Sequence, residues 1–183
     1  MTRRLAAVVL PCLLALPLLE GRASAGPDPH AGHAAPTLPK ELEALKKLAG
    51  RWEGKAKMGD QEIPVTIVYE VTAGGTAVFE KLFPGQPHEM VSVYVAEGER
   101  SDKVVMTHYC AGGNHPKMAL KKSDAKGLAF EMTGSEGLRS PKEPHMHAMS
   151  VAFLDADHIR ESWTSFDGGV KKDEKVFDLT RKK

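Results

Sequence analysis

Ile63-Pro64-Val65-Thr66-Ile67-Val68-Tyr69-Glu70-Val71 carries an apolar or aromatic side chain at every odd position. A period of two is the signature of an extended strand, whose successive side chains point to opposite faces. Val91, Val93 and Val95 repeat the pattern and predict a second half-buried strand. Outward from these two segments, short β-rich runs separated by Gly, Pro, Asp and Asn occupy the chain from Arg51 to the C-terminus. They predict ten strands, over residues 51–58, 62–73, 76–83, 88–96, 103–111, 117–123, 127–133, 145–154, 158–166 and 174–181. Tight connections make consecutive strands antiparallel, and an open meander of that size would leave two long edges unpaired. The expected fold class is therefore all-β: a ten-stranded antiparallel up-and-down β-barrel preceded by one N-terminal α-helix.

That helix is read from Leu38, Leu42, Leu45, Leu48 and Ala49, which recur at helical spacing opposite Lys40, Glu41, Glu43, Lys46 and Lys47. Pro39 suits a first turn and Gly50 a C-terminal cap, giving about three turns over 38–49. Upstream, Arg3 and Arg4 precede an apolar run from Leu5 to Leu19, followed by Ala23-Ser24-Ala25. This is the composition of a signal peptide over 1–25, too short and too interrupted by Pro11 and Pro17 for a membrane span. Cys12 lies inside the apolar run and does not read as a lipidation site. Residues 26–37 form a Gly-, Ala- and Pro-rich leader carrying His30 and His33, a composition that cannot bury enough apolar surface to order itself. Residues 38–183 are then one barrel domain, extracytoplasmic (periplasmic or secreted), with no membrane anchor after cleavage.

The whole chain of 183 residues has a formal net charge of +1, and its signal-peptide segment holds three arginines against one glutamate. A near-neutral domain lacks the basic face that nucleic acid requires. After cleavage Cys110 is the sole cysteine, so no intramolecular disulfide forms, and a buried thiol acting as a small hydrophobe is its simplest role.

Leu48-Ala49-Gly50-Arg51-Trp52-Glu53-Gly54, a short helix running into Gly-x-Trp-x-Gly and then a β-meander, resembles the opening of lipocalin-like (calycin) barrels. The resemblance implies that Trp52 packs across the closed end of the barrel under a basic residue of the last strand, here Arg181. Pro144-His145-Met146-His147-Ala148 is similar to a late segment of nitrobindin-like haem-binding barrels, which implies haem with His145 or His147 as an axial ligand.

In an up-and-down meander each turn belongs to one of two barrel ends. Trp52 and Arg181 share one. His88 at the start of the fourth strand, His108 and Cys110 at the end of the fifth, His115 in the following turn, and His145 with His147 at the start of the eighth all go to the opposite mouth; His158 does not. By alternation His145, His147, Met149, Val151 and Phe153 share one face, and Val104, Met106, His108 and Cys110 another; a three-residue turn at 155–157 adds Glu161 and Trp163 to the first. Both faces are otherwise apolar, so they are expected to point inward.

Two histidines at i and i+2 have Cα atoms about 6.6 Å apart on one face, close enough to share an ion. His108 or His115 could complete a three-histidine zinc set with His145 and His147, and Cys110, Met106 or Met149 would favour copper. Alternatively, Met106, Met149, Phe153 and Trp163 line a pocket for a small apolar molecule, with Glu161 near enough to act as a base in a metal-dependent enzyme. No Gly-x-Ser-x-Gly, Cys–His pattern or phosphate loop is present. The expected function is thus binding of a small ligand or metal ion at a histidine-rich mouth, in preference to catalysis.

Overall fold

A computed structural model of the chain describes residues 37–58, 61–98 and 102–183. The signal-peptide segment and the leader with His30 and His33 lie outside the described residues. The elements run α1 (Lys40–Lys46), β1 (Gly50–Met58), β2 (Gln61–Thr72), β3 (Ala77–Leu82), β4 (Met90–Glu97), β5 (Lys103–Tyr109), β6 (Lys117–Asp124), β7 (Gly127–Met132), β8 (His145–Phe153), β9 (His158–Asp167) and β10 (Val170–Lys182). Every strand pairs antiparallel with its sequence neighbours, and β1 pairs with β10 to close the barrel. Closure satisfies the edge groups that an open sheet would leave bare. Each of the ten expected strands is present. β10 begins at Val170 rather than 174, because Gly168-Gly169 forms a tight turn directly after β9.

The helix is shorter than its periodicity suggests. It ends at Lys46, and Lys47 to Ala49 turn the chain into β1, with Gly50 at φ +129. Leu42, Leu45 and Leu48 are still buried and Leu38 partly so, whereas Ala49, in the turn after the helix, is exposed. The Gly-x-Trp-x-Gly stretch has a steric reason: a Cβ at Gly54 would lie 1.9 Å from the Asp178 carbonyl oxygen, so β10 can approach β1 only across a glycine. Trp52 is fully buried, its indole N–H donating to the Leu48 carbonyl at 2.8 Å. The Arg181 guanidinium lies 4.2 Å from the Trp52 ring and donates to the carbonyls of Ala49 and Lys47 at 2.7 and 2.8 Å. It closes this end by cation–π stacking and by capping the turn after α1.

The lumen is packed rather than hollow. Val65, Ile67, Val78, Leu82, Met106, Met118, Phe130, Met149, Val151 and Leu179 fill it. One phase differs from expectation. On β4 the buried residues are Ser92 and Tyr94, whereas Val91, Val93 and Val95 lie on the outer face, partly exposed. The apolar set faces out because the inner face at this height belongs to a polar cluster, described next.

Candidate functional site

Two carboxylic acids meet inside the barrel. Glu80 lies in phase with Val78 and Leu82 on β3, and Glu161 with Ile159 and Trp163 on β9; alternation aims both inward, and both are fully buried. The Tyr69 hydroxyl sits between them, donating to Glu161 Oε1 at 2.5 Å and lying 3.2 Å from Glu80 Oε1. The Tyr94 hydroxyl donates to Glu80 Oε2 at 2.6 Å, and the Trp163 indole N–H to Glu161 Oε2 at 3.3 Å. Two carboxylates this close in a dry interior cannot both ionise. Burial, reinforced by the charge of Glu80, pushes Glu161 well above the usual carboxylate range, which makes it the one of the two that more readily holds a proton. Glu80 is also raised by burial, but hydrogen bonds from Tyr94, Ser92 and Tyr69 oppose that shift and make it the more acidic of the two.

The cluster extends toward the mouth opposite Trp52. Ser92 neighbours Glu80, and its hydroxyl lies 3.1 Å from His108 Nδ1. The His108 ring is fully buried against Trp163, with centroids 4.6 Å apart. Burial lowers its pKa from 6.5 to about 4, so the imidazole is neutral at physiological pH. Its other nitrogen, Nε2, is buried and has no hydrogen-bond partner among the described residues. An unpaired buried polar atom of this kind costs about 1–3 kcal/mol and is rare in native interiors.

His108 and Trp163 help to wall an apolar pocket of about 180 Å³, together with Phe83, Met90, Met146 and Phe177. Lys175 and the exposed His88, whose ring lies tilted against Phe83 with centroids 4.7 Å apart, also line it. Trp163 is bonded directly to Glu161, and His108 lies against Ser92, the cross-strand neighbour of Glu80.

The remaining histidines are arranged differently from expectation. β8 is bulged at His147: Met146 pairs with Ser165 and Ala148 with Thr164. The extra residue reverses the alternation, so Met146 faces the pocket while His145 and His147 stay on the face of Phe166, opposite to Trp163. His147 stacks on Phe166 with centroids 3.8 Å apart, and His145 Nε2 lies 3.1 Å from His147 Nδ1. His145 Nδ1 is bound to the Glu143 carbonyl at 2.7 Å. Neighbouring atoms thus hold three of the four ring nitrogens, and the fourth, His147 Nε2, lies 3.9 Å from Glu131. Burial and the adjacent His145 lower the pKa of His147, against the pull of Glu131.

The expected metal set of His145, His147 and His108 is therefore not assembled, since the sheet stands between the pair and His108. Among the described residues no three His, Cys, Asp or Glu side chains converge as a metal site. His115 is exposed and stacks on Tyr109. Cys110 has left the strand, and its sulfur accepts the Gly112 N–H at 3.4 Å within the turn. Met106 and Met149 are core residues rather than pocket lining, and Phe153 lines a hollow beside Trp52 at the other end. Glu161 is buried as expected, but it lies behind Trp163 and not beside the outer histidines, which removes it from any metal-assisted base role with them. His145 and His147, the residues that the haem resemblance names as axial ligands, lie on the face of Phe166 and do not line the apolar pocket.

Sequence reasoning missed Tyr69, Glu80, Ser92 and Tyr94 as a site. The available signal was phase, because Glu80 alternates with Val78 and Leu82 just as Glu161 does with Ile159 and Trp163.

No protein-family model matches the chain, and no curated protein matches it. Among solved structures it is similar to a protein of unknown function from the DUF3598 family of Nostoc punctiforme, with 12% identity, a TM-score of 0.53, and coverage of 83% of this chain and 53% of that one. This chain thus spans about half the length of that structure. At such identity the likeness shows a shared barrel fold, compatible with a lipocalin-like barrel, and nothing of function.

Proposed function

We propose that the chain is a small-ligand-binding β-barrel whose site is the apolar pocket at the mouth opposite Trp52, with His108 Nε2 as its polar anchor. The observation that carries this reading is the conjunction of a fully buried, unpartnered imidazole nitrogen with an apolar pocket of about 180 Å³. An engineered apolar cavity of about 150 Å³ takes benzene, so this volume suits a single aromatic ring. The wall chemistry agrees: Phe83, Phe177 and Trp163 offer ring faces and edges, and the thioethers of Met90 and Met146 adapt to a guest. A neutral, weakly basic His108 suits recognition better than general-base catalysis, which needs a pKa near the working pH. The leader composition supports an extracytoplasmic setting, tested by reading the N-terminus of the mature protein.

Titration with toluene and phenol, followed through the methionine methyl resonances, tests the proposal. Met90 and Met146 line the pocket and are expected to shift saturably while Met118 and Met132, in the core, do not. Unchanged methyl resonances up to the solubility limit of both probes, or equal shifts at all four, would rule out the pocket as the site.

A further inference from the structure

Val91, Val93 and Val95 point away from the lumen, partly exposed, and serve neither the core nor the pocket. Alternation puts Phe79 and Lys81 of β3 and Thr107 and Tyr109 of β5 on the same outer wall, with Phe79 partly and Tyr109 51% exposed. The wall built by β1, β2, β9 and β10 is different in kind: it is laced with the ion pairs Arg51–Glu53, Lys55–Glu62 and Arg160–Asp178. Apolar side chains gathered on one wall and rimmed by polar ones mark an interaction surface.

Strand register says what fits this surface. Paired residues run in a row across the sheet from β2 to β6, Glu70–Phe79–Val93–Thr107–Lys117. The row has a carboxylate at one end, an ammonium at the other and Val93 at its centre. Turning a second copy about an axis along β4 sets Glu70 against Lys117 at both ends, Phe79 against Thr107, and Val93 against itself. In the adjacent row, Lys81–Val91–Tyr109, the same rotation brings the Lys81 ammonium over the exposed Tyr109 ring of the other copy, a cation–π contact. We propose that this wall is a two-fold interface and that its occupant is a second copy of the chain. An isologous contact requires a surface complementary to itself, and both rows meet that condition in one rotation. Sheets packed face to face stand about 10 Å apart with strands nearly aligned. The outer wall of a barrel is convex, so β3 to β5 make the close contact, and the long side chains of Glu70 and Lys117 span the gap that opens on either side. Lys117 is bonded to Glu97 at 2.6 Å within its own copy; an ammonium has three protons to give and serves both carboxylates.

Sedimentation velocity on the purified protein, at concentrations up to about 100 μM, reads the self-association directly. A dimer is expected, and a monomer throughout overturns the proposal. Val93→Asp sets two carboxylates against each other on the axis and is expected to weaken the dimer by about tenfold or more, with the circular dichroism of the barrel unchanged because the side chain points outward. A dimer of undiminished strength in Val93→Asp forms through another surface and overturns the interface. Charge exchange at the rim tests the orientation without touching the apolar centre. Glu70→Lys opposes Lys to Lys and Lys117→Glu opposes Glu to Glu, so each alone is expected to weaken the dimer by about threefold or more, and an equimolar mixture of the two to restore it. A mixture that associates no more tightly than either variant alone overturns the rotation about β4.

Discussion

His108 and the His145–His147 pair sit at the same mouth of one barrel, yet they face opposite sides of its wall. His108 is fully buried, held at one nitrogen by Ser92 and unpartnered at the other. The pair is stacked on Phe166 and bonded to itself and to the loop before it. Two imidazoles at i and i+2 look chemically richer than a lone one. Three of their four nitrogens, however, are consumed locally and the fourth faces Glu131 on the outer wall, whereas the free nitrogen of His108 is buried beside an apolar pocket. Useful chemistry is marked by an unmet requirement rather than by the density of reactive side chains.

The contrast breaks most severely at the inner network. Glu80→Ala removes the acceptor for Tyr94 and leaves polar groups stranded in the core. It is expected to cost about 3–5 kcal/mol, measured by urea unfolding. A loss below about 1 kcal/mol would mean that the cluster does not hold together as described.

Next comes the response of His108 to acid. Its pKa falls from 6.5 to about 4 on folding, so between those values the unfolded chain binds the extra proton. This group's contribution is intact above pH 6.5 and is lost as pH falls toward 4, by up to about 3 kcal/mol. His108→Phe removes that term. The variant should gain on the wild type steadily from pH 6.5 down to 4, and a pH-independent difference between the two would contradict the burial assigned to this ring.

Glu161 behaves in the opposite sense. Its pKa is raised well above 4.5, so the stability it confers is complete at acid pH and declines as pH rises above 4.5, where the unfolded carboxyl ionises first. Glu161→Gln keeps the shape and an acceptor oxygen without the titration, and is expected to flatten the alkaline side of the stability profile. An unchanged slope there would place the shared proton elsewhere. The smallest effect belongs to the outer wall: His147→Ala should cost about 1 kcal/mol or less, lost stacking on Phe166 being its main consequence.

Much of the barrel was legible in the sequence. Strand positions follow from turn residues and alternation, and the meander from short connections; the mouth to which each histidine belongs follows from the strand count. Facing was harder. A bulge adds one residue without any marker in Pro144-His145-Met146-His147-Ala148, and that residue reverses every side chain before it. On β4 the valines drew attention to the wrong face, because alternation reports that two faces differ and not which of them is inside. Glu161 was found by phase, and the same rule applied to Glu80 would have located its partner. That Tyr69, Ser92 and Tyr94 converge on these acids is a matter of barrel closure and shear, which no local pattern carries.

The most direct test of the inner site against the outer pair is phenol affinity, measured by calorimetry, in wild type, His108→Phe and the double variant His145→Ala/His147→Ala. Loss of about tenfold or more in His108→Phe, with affinity within about twofold of wild type in the double variant, is the predicted result. Binding retained in His108→Phe and abolished in the double variant would contradict it and return the site to the outer histidines.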